Sequence, residues 1–307
     1  MKPFLIGMTV YGEHYAHLFN TICWPSLMAK GNLPYLKDHR DVGLVIHTDA
    51  KTAPLLKDLP FPLLDVTDEE KYFQLGRHQN YDLRAAHKCG ADYHCMMPDY
   101  YYVDDCFANI LKAAARGHKA VARLVVSTNE ETITPWLVPG LSLREMATLS
   151  LLHMHPGVQH WKAQKENYPN NHVIVWNSKD HLHLNSPHLT PVYIAHEVMT
   201  PGDYFKPIDN ILDLVISGDI HCTQPEDGIG ILEIAAPDGR KPNDERIDLK
   251  EFVRIFKANT YNSEKQFKIF TQGTVDPINR AVLSDDYWNE VDILEQQRII
   301  NQAIMEG

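Results

Sequence analysis

Several short polar clusters in this sequence carry side chains suited to holding charged ligands or moving protons, and most stand directly after apolar runs. Thr9-Val10-Tyr11-Gly12-Glu13 closes the run from Phe4, His47-Thr48-Asp49 closes the run from Val42, Met97-Pro98-Asp99 follows Asp92–Met97, and Ser127-Thr128-Asn129-Glu130 ends Lys119–Ser127. Carboxylates at such places offer hard oxygen ligands for Mg²⁺ or Mn²⁺, although the same side chains also cap helices that follow a strand. A second chemistry comes from the seventeen histidines, nine of which lie between His153 and His221. Two i,i+2 pairs, His153-x-His155 and His181-x-His183, have the local look of metal ligands. Such a pair shares one face only on a strand, and His153 and His155 stand at a helix end, where a dipole contact or a turn serves equally well. Late acidic residues, Asp219, Glu226, Asp227 and Glu233, supply candidate general bases. Glu226 and Asp227 belong to Gln224-Pro225-Glu226-Asp227-Gly228, which is also a good surface turn.

Some chemistries lose their main signal. The sequence contains no G-x-G-x-x-G after the first apolar run and no G-x-x-x-x-G-K-[ST], so neither a dinucleotide fingerprint nor a Walker-type phosphate loop is present. The G-x-S-x-G elbow of serine hydrolases is absent as well.

The elements that must position these clusters follow from the hydrophobic pattern. Phe4–Val10, Val42–Thr48, Asp92–Met97 and Lys119–Ser127 are near-continuous apolar runs, the pattern of strands covered on both faces. Phe61–Val66 predicts a short further strand. Between them, His14–Leu27, Asp68–Lys88 and a segment from Asp104 or Asp105 to Arg116 predict helices, the first kinked at Pro25 and the third capped by one of its two aspartates. Strands alternating with helices give an open, mostly parallel α/β sheet wound by helices over residues 1–130. Beyond this, Ser142-Leu143-Arg144-Glu145 is a capping box opening a helix to about His153. Short strands are expected at His172–Trp176, Pro191–Ala195 and Gly230–Ile234. Asp248–Ala258 and Asp286–Ile304 read as closing helices, the helical tail of residues 246–307.

Composition narrows the partners. The 307 residues are 44% apolar and 22% charged, an ordinary globular balance. With 29 basic against 40 acidic residues the net charge is −11, which repels phosphate-rich polymers, so nucleic acid is not expected as a partner. No run of about 18 apolar residues suggests a transmembrane segment, and the opening segment reads as a strand rather than a signal peptide. Five cysteines without a C-x-x-C pair fit reduced thiols and a cytoplasmic location. Oligomeric state is not legible.

Ala91-Asp92-Tyr93-His94-Cys95-Met96-Met97-Pro98-Asp99-Tyr100 resembles the strand and acidic turn of GT-A-type glycosyltransferases, in which an Asp-x-Asp holds a divalent cation on a nucleotide-sugar diphosphate. Met97 stands at the first acidic position and only Asp99 matches. The chain also resembles a group of bacterial glycosyltransferase-like proteins of unassigned substrate. The pieces are Val10-Tyr11-Gly12-Glu13-His14-Tyr15, Pro25-Ser26-Leu27 with Gly31-Asn32-Leu33-Pro34, His153-Met154-His155-Pro156, and Pro187-His188-Leu189-Thr190-Pro191, where Thr190 departs from the group's second histidine. The resemblance implies a GT-A-like (Rossmann-like) open mixed sheet with helices on both faces. It implies a nucleotide-sugar-binding half over 1–130 and an acceptor-side half of the same domain over 131–245. It further implies donor binding by Thr9, Tyr11, Gly12, Asp49, Arg84 and Asp99, with Mn²⁺ or Mg²⁺ on Asp99 and His188. Glu226 or Asp227 would serve as acceptor base, and the acceptor would be a carbohydrate or lipid-linked molecule, as in surface polysaccharide or glycoconjugate synthesis. Two other readings compete: a metal-dependent hydrolase built on the histidine pairs, and a catalytically weakened GT-A-like protein that only binds.

Overall fold

A computed structural model describes residues 1–56, 63–66, 71–161, 167–169, 173–186, 190–199, 220–237, 245–259, 273–279 and 288–306. The chain divides into two compact units that interleave along the sequence. The first comprises Met1–Ala122, Leu137–Gly140 and Thr190–His221; the second comprises Arg123–Trp136, Leu141–Leu189 and Cys222–Gly307.

The first unit contains β1 (Pro3–Thr9), α1 (Gly12–Leu18), α2 (Trp24–Leu27), α3 (Leu33–His39), β2 (Asp41–Thr48), β3 (Leu63–Val66) and α4 (Lys71–Lys88). It continues with β4 (Asp92–Met96), β5 (Tyr100–Tyr102), α5 (Cys106–Ala115) and β6 (Ala120–Arg123). The second unit opens with β7 (Ser127–Asn129), α6 (Glu130–Ile133), α7 (Leu143–Leu152), β8 (Tyr168–Pro169), β9 (Ile174–Asn177) and β10 (His181–Asn185). The chain returns to the first unit with β11 (Thr190–Ile194) and crosses back along β12 (Ile220–Cys222). β13 (Ile231–Ala235), β14 (Arg246–Ile247), α8 (Leu249–Asn259), β15 (Thr274–Pro277) and α9 (Glu290–Glu306) complete the second unit.

The expected mixed α/β sheet is present, with seven strands in the order β12-β6-β11-β4-β1-β2-β3. β1 pairs in parallel with β2 and β4, and β2 in parallel with β3, while β11 runs antiparallel to β4. Central strands buried on both faces need side chains that hide from water everywhere, and Phe4, Ile6, Met8, Leu44, Ile46, Tyr93 and Met96 meet that need. The chain leaves β1 toward β2 and β3 and returns to β4 on the other side of β1. Such a reversal is where open α/β sheets place their ligands, beyond the carboxyl ends of the strands, here those of β1 and β4.

Three local expectations change. The segment over 14–27 is not one α-helix: five residues, Phe19–Cys23, form a π-helical turn in which the Trp24 N–H reaches back to Phe19 O, and α2, with Pro25 in its first turn, follows directly. The extra residue is absorbed one turn before the proline. The run Lys119–Ser127 is two strands, β6 and β7, because Leu124 N–H leaves the ladder to donate to Thr274 Oγ1 at 3.2 Å. Neither Asp104 nor Asp105 caps α5. Asp105 sits in the left-handed region with φ of 60° and makes no side-chain cap bond. Asn32 caps the helix instead, its Oδ1 accepting the Phe107 N–H at 3.1 Å while Nδ2 donates to Ser26 O and Val103 O. Gly31 is required beside it, since a Cβ there would overlap Asp105.

In the second unit the Ser142–Glu145 capping box forms as expected. β9, β10 and β15 make an antiparallel sheet, and β7 pairs in parallel with β13. Trp176, Phe252, Phe256, Ile293, Ile300 and Ile304 form the core under α8 and the C-terminal helix α9. Arg123 and Asp276 are buried as a bidentate pair, and Arg123 Nη1 also donates to Ile229 O. Every charged oxygen is thereby met, which burial of a charge requires.

Candidate functional site

The carboxyl ends of β1, β2 and β3 present a row of polar residues on the face covered by α4. Register pairs Thr9 with His47 and His47 with Asp65. His47 is fully buried and bridges two carboxylates, with Nδ1 2.9 Å from Asp65 Oδ2 and Nε2 2.9 Å from Asp82 Oδ1 on α4. Burial pulls the His47 pKa down, but the hydrogen bond and charge of Asp82, then of Asp65, outweigh it and hold it above the ordinary value. Asp82 is raised as well, chiefly because its carboxyl is buried, with His47 opposing. His47 is held upward because its two ring nitrogens face two acidic groups.

The His78 ring stacks on His47 with centroids 4.1 Å apart and 12° between planes. Its pKa falls to about 4, first because burial penalises the charged form and second because His47 carries positive charge beside it. Tyr11 stacks in turn on His78 at 6.2 Å. Tyr11, His78 and His47 thus form an aromatic series at the end of β1 and β2. His78 Nδ1 is buried with no hydrogen-bond partner among the described residues.

The turns after β1 and β2 are tied together through Thr52. Gly12, at φ of +80°, donates its N–H to Thr52 Oγ1 at 2.7 Å, and Thr52 N–H donates to Asp49 Oδ1 at 2.7 Å. Asp49 also accepts from Lys51 N–H at 2.9 Å, an Asx turn that fixes the loop. Of the residues expected to bind a donor, Thr9, Tyr11, Gly12 and Asp49 are therefore gathered at one edge. Arg84 lies on the exposed side of α4, six residues beyond His78 and so about 9 Å further along the axis toward the amino edge of the sheet.

Asp99 stands in the turn between β4 and β5, closed by Tyr100 N–H on Met97 O at 3.3 Å, and is 8% exposed. Its neighbour is the π-helical turn: Cys23 Sγ lies 3.7 Å from Met97 O, and the Cys23 thiol is pushed up first by burial and then by the charge of Asp99. Extra-residue helical turns of this kind recur at functional sites. His188 and Asp219 lie outside the described residues.

In the second unit Asp227 is buried and serves a short helical turn, its Oδ2 accepting Gln224 N–H at 2.8 Å, whereas Glu226 beside it is exposed. Glu233 accepts a hydrogen bond from Ser127 Oγ. His155 is buried, with Nε2 2.9 Å from Ala236 O and Nδ1 accepting Gly157 N–H, so it braces a turn. His181 and His183 are on a strand and share a face, with Glu290 beside them.

The sequence reading missed His47–Asp82, His78, Thr52 and Asp92. Asp92, fully buried at the start of β4, accepts from Tyr193 Oη at 2.9 Å and pairs with Lys2 Nζ at 2.8 Å. These contacts lie at the amino edge of the sheet. A glycine mid-strand at position 7 was the available signal for Asp82, because a strand glycine marks close approach by another group.

No protein-family model matches the chain, and no curated protein matches it. Among solved structures, it is similar to S. aureus TarS 1–349 at 12% identity and a TM-score of 0.35, over 89% of this chain and 70% of that one. A longer S. aureus TarS structure aligns at 13% identity and a TM-score of 0.34, over 89% of this chain and 42% of that one. A Bacillus anthracis structure described as a glucose-1-phosphate thymidylyltransferase in complex with a sucrose aligns at 11% identity and a TM-score of 0.26, over 41% of this chain and 55% of that one. The chain thus spans about half of the thymidylyltransferase and less than half of the longer TarS structure. Strand order and register, rather than these distant alignments, define the fold.

Proposed function

We propose that the chain is a glycosyltransferase that moves a hexosyl group from a nucleotide-sugar to a carbohydrate or lipid-linked acceptor, in surface polysaccharide or glycoconjugate synthesis. The observation that carries this reading is the gathering of Tyr11, His78, Gly12, Asp49 and Thr52 beyond β1 and β2, next to the strand-order reversal between β1 and β4. Flat rings at this edge suit a nucleobase, and the Gly12 and Asp49 turns suit a ribose. The likeness of Ala91–Tyr100 to the GT-A acidic turn then assigns the diphosphate end to the Asp99 turn, with Thr9 as a further donor contact; Arg84, toward the amino edge on the exposed side of α4, is not gathered there.

In this mechanism the protein fixes the donor and the acceptor hydroxyl in line and stabilises an oxocarbenium-like centre as the diphosphate departs. An inverting reaction needs a general base for the acceptor proton, the part that the resemblance implies for Glu226 or Asp227.

A Mn²⁺ or Mg²⁺ ion on the diphosphate needs several hard oxygen ligands. Among the described residues Asp99 belongs to none of the groups of three His, Cys, Asp or Glu that could share an ion, and Met97 supplies no oxygen side chain. Asp99 and His188 would hold such an ion, which would offset the charge of the departing diphosphate; His188 lies outside the described residues. Five free cysteines are consistent with a cytoplasmic enzyme; among the described residues no helix is long and apolar enough to cross a membrane. The reading is tested by incubating the full chain with UDP-, GDP-, CDP- and CMP-sugars and measuring nucleotide release with and without acceptor extracts. Release from one donor class, weakened in Tyr11→Ala through KM, supports it. Absence of release and of binding for all four classes contradicts it.

A further inference from the structure

We propose that His181, His183 and Glu290 form a site for a late first-row divalent cation, zinc by preference, that staples the start of α9 to the β9–β10 hairpin. Both histidines are on β10, where burial alternates: Leu182 and Leu184 are fully buried, while His181 and His183 share the opposite, half-exposed face. Their rings are 6.1 Å apart and inclined at 74°. Glu290 is the first residue of α9, and its Oε1 lies 3.4 Å from His181 Nδ1. One ligand atom from each of the three residues lies within 4.8 Å of the other two.

These distances suit a metal. Zinc bonds of about 2.0–2.1 Å in a tetrahedron place neighbouring ligand atoms roughly 3.3 Å apart; the His181–Glu290 edge, at 3.4 Å, already has that spacing, and the His183 ligand atom lies within 4.8 Å of both. Two imidazoles and one carboxylate favour zinc, cobalt or nickel over magnesium and calcium, which require more oxygens. Three protein ligands leave a fourth position for water.

The ligands are held by rigid surroundings. The hairpin turn is closed by Ser178 N–H on His181 O at 2.8 Å and by His181 N–H on Ser178 Oγ at 3.1 Å. Trp288 N–H donates to Asn177 O at 2.8 Å, which brings the lead-in to α9 onto the same hairpin. Asn289 Oδ1 accepts Val291 N–H at 3.1 Å and fixes the first turn of the helix. Ser178 Oγ, 3.4 Å from His183 Nε2, is placed to orient that ring. An ion pair between His181 and Glu290 alone would not call for a second imidazole on the same face.

The test is calorimetric titration of the chelator-stripped full chain with ZnCl₂, in wild type, Glu290→Gln and His181→Gln/His183→Gln, with circular dichroism confirming that each variant is folded. The expected result is one zinc per chain bound tighter than about 1 μM in wild type, weakened at least tenfold in Glu290→Gln and abolished in the double variant. Cobalt substitution should give visible absorption in wild type and lose it in the double variant, and millimolar Mg²⁺ should not compete. Undiminished zinc affinity in the folded double variant, or no wild-type binding tighter than about 10 μM, overturns the proposal.

Discussion

Asp82 occupies the space that a side chain at position 7 would fill: a Cβ on Gly7 would overlap its Oδ2. Gly7 and Thr9 lie on the same face of β1, two residues apart, so this absence lets α4 settle low enough for Asp82 to reach His47. The site at the carboxyl edge is built on that close approach. Gly7→Ala should therefore destabilise the protein by about 1–3 kcal/mol through overpacking, read from the urea midpoint, and should lengthen the His47–Asp82 contact. A variant as stable as wild type would show that α4 has room to move.

The stacked histidines should titrate in opposite directions. His47 is held above the ordinary histidine value by Asp82 and Asp65, and His78 falls to about 4. Imidazole NMR signals should show one group with a midpoint above 6.5 and its neighbour near 4, and Asp82→Asn should lower the first. Because His47 binds its proton more tightly folded than unfolded, its stabilisation is complete below about pH 6.5 and is lost as pH rises through the folded value. Buried Asp82, also raised, acts in the same direction. Asp82→Asn should flatten the decline of stability with rising pH; an unchanged pH profile would contradict the assignment.

Asn32 caps a helix that begins more than seventy residues later, and all its side-chain bonds are buried. Asn32→Ala leaves the Phe107 N–H without a partner and takes one of two donors from Ser26 O and Val103 O, and should cost about 1–3 kcal/mol for the buried N–H left unsatisfied. Asp105→Ala, at a residue that makes no cap bond, should leave the helix intact. Equal losses in the two variants would refute the long-range cap.

The contrast between these residues shows what could be read from sequence. β1, β2 and β4 were legible because strands buried on both faces must be apolar throughout, and the Ser142–Glu145 box because both partners lie within four residues. The α5 cap comes from Asn32 rather than from the adjacent aspartates, since nothing local marks an acceptor supplied by a segment more than seventy residues earlier. The break between β6 and β7 was hidden for a similar reason: Leu124-Val125-Val126 continues the apolar run, and Thr274, which takes the Leu124 N–H, is 150 residues away. At the site, the polar residues following β1 and β2 were found by position alone. Of the groups that hold them, Asp82 and His78 lie outside those turns on α4, and Thr52, in the turn after β2, reaches Gly12 only through the fold.

Asp99 should matter for turnover if the sugar-transfer reading is correct. Asp99→Asn preserves shape and removes the charge, and turnover should drop well over tenfold, at least about 1.4 kcal/mol of barrier. Steady-state rates with and without Mn²⁺ or Mg²⁺, in a variant of unchanged circular dichroism, check this. Unaltered rates and metal response would remove Asp99 from the site.

The most direct test of the central claim is a thermal-shift titration of the full chain with UDP-, GDP-, CDP- and CMP-sugars, repeated in Tyr11→Ala and His78→Ala. Binding to the folded state stabilises it by RT ln(1 + [L]/Kd), about 2.7 kcal/mol at a hundredfold excess over Kd. The account predicts a saturable rise in Tm with one nucleotide class, strongly reduced in both variants. No shift with any of the four classes, or a shift that both folded variants retain in full, would contradict a donor site at the carboxyl edge of β1 and β2.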